Sequence, residues 1–195
     1  MKKEMTAVKQ TRLHSILDAA TNLLIEKPGA SMNEIAEAAG IGIATLHRYV
    51  DSREQLMVHL GFRAIEVVSE TMRSVALNEA NSEAYIPELI EALIPLGDKI
   101  YFLAHDASVN YNPEIDAADQ KLREPVMHVI DQLQQQGFLR SDMDKEWIMN
   151  VLYSLLFLTW QQVKSGHIAV KSAAALVVDT FYKGVQTKSV QEAKR

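Results

Sequence analysis

The chain has no cysteine. That excludes a disulfide framework, thiolate chemistry and metal ligation by thiolate. Repeats and low-complexity linkers are also missing, and the eight glycines and five prolines act as punctuation between ordered segments. No apolar run reaches the length of a bilayer. The most apolar stretch, residues 148–160, is broken by Asn150, Tyr153 and Ser154. Met1-Lys2-Lys3 is basic, but no apolar h-region follows it, so no secretory signal is expected and the expected location is the cytoplasm. Positive charge is short as well. The formal net charge is −5, which argues against a general nucleic-acid binder.

That charge is unevenly spread. Residues 1–60 hold seven basic and seven acidic side chains, and residues 61–195 hold 13 basic and 18 acidic ones. Any contact with DNA therefore has to come from a local N-terminal cluster. Lys2, Lys3, Lys9 and Arg12 precede or open the first helix and form a candidate basic arm.

What is present is helical periodicity along nearly the whole chain, with no hairpin signal. The spacing of Leu13, Ile16, Leu17, Ala20 and Leu24 predicts an amphipathic first helix over residues 9–26, stopped by Lys27-Pro28-Gly29. Ser31-Met32-Asn33-Glu34 reads as a capping box. It opens a short second helix over 32–39, with Ile35, Ala36 and Ala39 inward and Gly40 at its C-terminal turn. A third helix is expected over 43–50. Two short helices joined by a glycine-containing turn make a helix-turn-helix. Asp51-Ser52-Arg53-Glu54-Gln55 offers two overlapping caps, Asp51 with Glu54 or Ser52 with Gln55, for a fourth helix running to about residue 77.

In a helix-turn-helix the second helix lies in the major groove. Leu46 and Val50, with Ile41 before them, form its expected buried face. Ile43, Ala44, Thr45, His47, Arg48 and Tyr49 are left for the outside or its border. Ala44 and Thr45 are small enough for close approach. Thr45, His47 and Tyr49 donate to phosphate oxygens, and Arg48 suits guanine or phosphate. Gly42 exposes its N–H at the start of the helix. Arg53 occupies the first turn of the next helix, where a cation is mildly unfavourable, so its placement points to an external anion. With Arg12 these form the candidate DNA-binding set. Each residue alone is ordinary, and the signal lies in their order after Ser-x-x-Glu and Gly-x-Gly.

Residues 12–60 resemble the DNA-binding domain of the TetR family of bacterial transcriptional regulators. Ile16, Ala19-Ala20, Ser31, Ile35-Ala36, Ala39-Gly40-Ile41, Thr45-Leu46, Tyr49 and Ser52-Arg53-Glu54 with Leu56 carry the resemblance. It implies an all-α homodimer. An N-terminal three-helix reading head, residues 9–66, is followed by a larger helical domain, residues 67–195, that binds a small molecule and dimerises. The chain departs from the family pattern at three places. His47 stands where a phosphate-contacting tyrosine is usual, Val50 where phenylalanine is common, and Gly42 where a serine or threonine cap is usual.

In the C-terminal two-thirds, punctuation divides the chain into about five further helical pieces, the longest over 144–165 and 170–187. Pro87 and Pro125 each fit either a first turn or a kink. Residues 144–165 and 170–187 carry apolar faces wider than one stripe. These suit a four-helix bundle made by two subunits, as the resemblance implies, or burial within one chain. Candidate ligand-pocket residues are Leu93, Tyr101, Phe102, His105, Met127, Ile130, Trp147, Asn150, Tyr153, Phe157 and Trp160, an aromatic set suited to a small apolar molecule. Plain core packing is the alternative reading of each. No phosphate-cradling glycine loop or nucleophile elbow is present. Neither His105-Asp106 nor His128 with Glu124 and Asp131 has metal-ligand spacing. Enzymatic activity, a cofactor and a metal are therefore not expected. The reading is a regulator, most simply a repressor, released from a palindromic operator by an apolar or aromatic effector. An activator with the same head remains open, as does a helical small-molecule or protein-binding module without specific DNA binding.

Overall fold

The computed structural model describes residues 7–75, 79–101, 103 and 106–187. Lys2, Lys3, Phe102 and His105 lie outside the described residues. The described chain is helical, without a strand, and has one isolated bridge between Leu139 and Gln186. Its helices are α1 (Ala7–Glu26), α2 (Met32–Ala38), α3 (Ile43–Leu46), α4 (Arg53–Ser74), α5 (Tyr85–Leu93), α6 (Gly97–Tyr101), α7 (Ala107–Asn110), α8 (Pro113–Gln135), α9 (Lys145–Lys164) and α10 (Val170–Val185). They fall into two compact units, with boundaries at 67/68, 101/102 and 118/119.

The first unit holds α1 to α3, the first turns of α4, and a returning segment that includes α7 and the start of α8. The apolar stripe of α1 is buried: Leu13, Ile16, Leu17, Ala20 and Leu24 meet Ile35 and Ala36 of α2, Leu46 of α3 and Leu56, Met57 and Leu60 of α4. Each such large side chain contributes roughly 1.5–3 kcal/mol on burial. Arg63 of α4 fastens the rim, donating from Nε to Asp18 and from Nη1 to Glu66, both at 3.2 Å.

Local chemistry sets the helix ends. The Ser31 hydroxyl accepts from the Glu34 N–H at 3.3 Å, and Glu34 Oε2 accepts from the Ser31 N–H at 2.8 Å. Glu34 also pairs with Lys27. The Lys27 ammonium and the Ser31 donors hold its carboxyl down at about 2. At the end of α2 the Ile41 N–H bonds to Ala36 O at 3.0 Å and the Gly40 N–H to Glu37 O at 2.9 Å. That Schellman pattern needs a left-handed residue, and Gly40 supplies it at φ 64°.

The third helix is shorter than the spacing predicts. The α-helical part ends at Leu46, after which Arg48 bonds to Thr45 O at 3.1 Å and Tyr49 to Leu46 O at 2.8 Å. These i→i−3 bonds tighten the chain before the next cap, at Ser52. Of the two possible caps, Ser52 with Gln55 forms: Ser52 Oγ accepts from the Gln55 N–H at 3.1 Å, and Gln55 Oε1 reaches back to the Asp51 N–H.

The second unit holds the end of α4, α5, α6, most of α8, α9 and α10. Its core centres on Ile86, Ile90, Ile130, Leu133, Leu139, Ile148, Leu152, Val177 and Phe181. Asp144 caps α9 by accepting from the N–H groups of Glu146 and Trp147. Pro87 lies in the first turn of α5, where a missing N–H is tolerated, whereas Pro125 lies inside α8. Gly97 admits a close approach: a Cβ there would stand 2.1 Å from Cδ1 of Trp160.

Candidate DNA-reading face and an aromatic row

Helix α3 is anchored from below by Leu46 and Val50, both fully buried. Anchoring one side exposes the other. Gly42, Ile43, Ala44, His47 and Arg48 are exposed, and Thr45 and Tyr49 are half-buried beside them. Val50 is fully buried, although phenylalanine is common there in the resembled family. The Tyr49 ring carries the Lys9 ammonium 5.8 Å from its centroid. This brings the N-terminal turns of α1 to the border of the α3 face. Arg12 is exposed on α1. Neither Arg12 nor Arg48 has an ion-pair partner among the described residues. The structure thus joins exposed donors and free cations on one side of a small helix. That arrangement suits phosphate oxygens and base edges.

Arg53 is placed differently. Its guanidinium donates to the carbonyl oxygens of Ala30 and Pro28, the latter at 2.7 Å. Its position in the first turn of α4 is therefore explained by two internal acceptors and requires no external anion. Sequence spacing gave no sign of this, because the partners lie 23 and 25 residues upstream.

In the second unit, Tyr153, Phe157 and Trp160 form a row along α9, with successive ring centroids 5.1 and 5.0 Å apart. Arg123 of α8 lies 5.3 Å over the Tyr153 ring and donates to Asn150 Oδ1. The Tyr153 hydroxyl donates to Asp119 at 3.0 Å. Burial, then the Asp119 charge, pushes that phenol well above its ordinary range, so it stays neutral. Two buried donors here have no partner among the described residues, Arg123 Nε and Trp160 Nε1. Asp119 and Arg123 were missed by sequence reasoning, because a charged residue on a long helix gives no local sign of a cross-helix partner.

The other pocket candidates are dispersed. Leu93 is buried in the core, with Met127 packed against it. Tyr101 stacks under the Lys164 ammonium at 5.8 Å. Trp147 is 61% exposed on the first turn of α9 and lines no interior wall. It shares a face with Asn150, Ser154, Leu158 and Gln161, at helical spacing and all exposed. Phe102 and His105 are outside the described residues.

Comparison with known proteins agrees with this geometry. Residues 16–60 match the family described as "Bacterial regulatory proteins, tetR family". The HTH-type transcriptional repressor LfrR of Mycolicibacterium smegmatis is 26% identical over 163 residues, covering 84% of each chain. The crystal structure of LfrR in complex with proflavine superposes with a TM-score of 0.77 at 22% identity, covering 91% of this chain and 98% of that one. The structure of AibR in complex with isovaleryl coenzyme A and operator DNA gives 0.73 at 20% identity, covering 88% and 98%. No helix among the described residues is long and apolar enough to cross a membrane. Residues 16–60 thus match the tetR family's regulatory-protein model, and over most of its length the chain is similar to a helix-turn-helix transcriptional repressor and shares the fold of TetR-like regulators.

Proposed function

We propose that this regulator is a repressor that acts as a homodimer on a palindromic operator and is released by a small aromatic molecule. The observation that carries the DNA reading is the exposed face of α3, with Ala44, Thr45, His47, Arg48 and Tyr49 beside Lys9 and Arg12. Ala44 and Thr45 admit the helix to the groove, Arg48 reads base edges or phosphate, and Tyr49, His47 and Arg12 position the head on the backbone. Residues 9–66 supply the reading head, in one compact unit with residues 102–118, and the rest of 67–195 supplies effector binding and dimerisation.

The outer faces of α9 and α10 support the dimer. Trp147, Leu158, Val170 and Leu176 are large apolar side chains left 46–61% exposed. A second copy covers them most simply, in an isologous four-helix contact. Two reading helices then lie about 34–36 Å apart, one turn of DNA. The aromatic row Tyr153–Phe157–Trp160, with the unpaired donors at its two ends, supports an aromatic effector bearing an acceptor. LfrR, a named repressor, has been crystallised with the aromatic compound proflavine, which favours the same output and ligand type here. Release requires the effector to prefer one head separation over another, since only differential affinity moves the equilibrium.

Selection of bound DNA from a random pool tests the reading. An enriched palindrome, lost in the Arg48→Ala, Tyr49→Ala variant, supports it. Weak binding without sequence preference sinks it and favours a helical binding module instead.

A further inference from the structure

A cleft of the C-terminal unit lies apart from the aromatic row and shares no residue with it. It is lined by Ser69, Met72 and Arg73 of α4, Tyr85 of α5, and Lys121, Leu122 and Pro125 of α8, and encloses about 180 Å³. Met72, Leu122 and Pro125 make one part of its wall apolar. Arg73 and Lys121 supply two cations, and no acidic side chain lines it.

The polar groups of the cleft are unengaged. Arg73 and Lys121 have no ion pair or hydrogen bond among the described residues. Tyr85 is the decisive group. Its side chain is 5% exposed, yet its hydroxyl has no partner among the described residues, and the residue lines the cleft. A buried phenol ordinarily finds a partner. The hydroxyl is not fully enclosed, and the residue that bears it lines the cleft. Burial raises the phenol above its ordinary range and keeps it a donor.

We infer that this cleft binds a small amphipathic carboxylate, its anionic head held by Arg73, Lys121 and the Tyr85 hydroxyl and its apolar part lying on Met72, Leu122 and Pro125. A guanidinium, an ammonium and a neutral hydroxyl are all donors suited to one carboxylate. An organic cation meets two like charges there, and a neutral apolar molecule leaves the donors unsatisfied. The volume lies below the roughly 300–1,000 Å³ of sites for drug-sized ligands, so the ligand is short.

The test is calorimetric titration of the full chain, free of DNA, with hexanoate as the probe. Hexylamine, 1-hexanol and inorganic phosphate are the comparators. Saturable binding of hexanoate is expected, weakening as salt rises. The Arg73→Gln, Lys121→Gln double variant is expected to bind at least about tenfold more weakly, and Tyr85→Phe several-fold more weakly. Arg73 and Lys121 are exposed and unpaired, so the double variant is expected to melt close to the parent and report on binding alone. Any one of three results overturns the inference: no saturable hexanoate binding, equal binding of 1-hexanol or phosphate, or undiminished binding by the double variant. Because binding is read on the free protein, failure here leaves the operator reading intact, and failure to select an operator leaves this inference intact.

Discussion

Arg53, in the first turn of α4, donates from Nη2 to the carbonyl oxygen of Pro28 at 2.7 Å, across 25 residues of chain. Its other terminal nitrogen holds Ala30 O. One guanidinium thereby closes the turn between α1 and α2 onto the start of α4. The forked geometry matters, because a lysine ammonium cannot span two carbonyls in one plane. Arg53→Ala is expected to destabilise the protein by about 1–2 kcal/mol, read from urea unfolding, since hydrogen bonds from charged groups lie at the upper end of the net range. It is expected to leave the salt slope of DNA binding unchanged. A slope flattened by about one would instead place this residue on a phosphate.

Gly42 caps α3 without a side-chain hydrogen bond, at φ −75° and ψ 153°, and a Cβ there meets nothing within 4 Å. Any L-residue fits that backbone. Gly42→Ser is expected to add a cap and reduce unfolded-state freedom, stabilising by about 0.5 kcal/mol. Thermal unfolding checks it, and a lower melting temperature would contradict the open space.

Glu34 gives the head a dependence on acidity. Its carboxyl is depressed from 4.5 to about 2, so the folded state holds the proton less well than the unfolded one. The contribution is complete above about pH 4.5 and is lost as pH falls through about 2. Unfolding of Glu34→Gln beside the parent is expected to show a deficit at pH 7 that closes toward pH 2. A deficit constant with pH would mean the charge plays no part.

Leu158 and Leu176 stand 52% and 46% exposed on the outer faces of α9 and α10. Exposed in one chain, they are expected to be covered in the dimer, and a carboxylate there would be buried without a partner. Leu158→Asp with Leu176→Asp is expected to sediment as a monomer and to lose operator affinity. A dimer that survives both changes places the interface elsewhere.

Much of the reading head was legible because its signals are local. A capping box needs only Ser31 and Glu34 at the right spacing, and the α1 stripe needs only the helical period. Gly40 marked its turn because few other residues accept that backbone. The pocket was less legible for the same reason. An aromatic on an apolar face looks alike whether it packs, lines a cavity or faces a partner. Trp147 and Phe157 share a helix and a residue class, yet one is exposed and the other half-buried in a ring stack.

By itself, the sequence determined the helical class, the order of the first four helices, the capping box of α2, and the side of α3 that stays free. Periodicity and backbone preference act over one or two turns and need no distant partner. The tertiary structure decided where the chain's charges are engaged. It took Arg53 for two carbonyls, set Arg123 over Tyr153, and left Arg73 and Lys121 open beside the Tyr85 hydroxyl. Those assignments depend on which helices become neighbours, and that follows from burying the whole apolar surface at once.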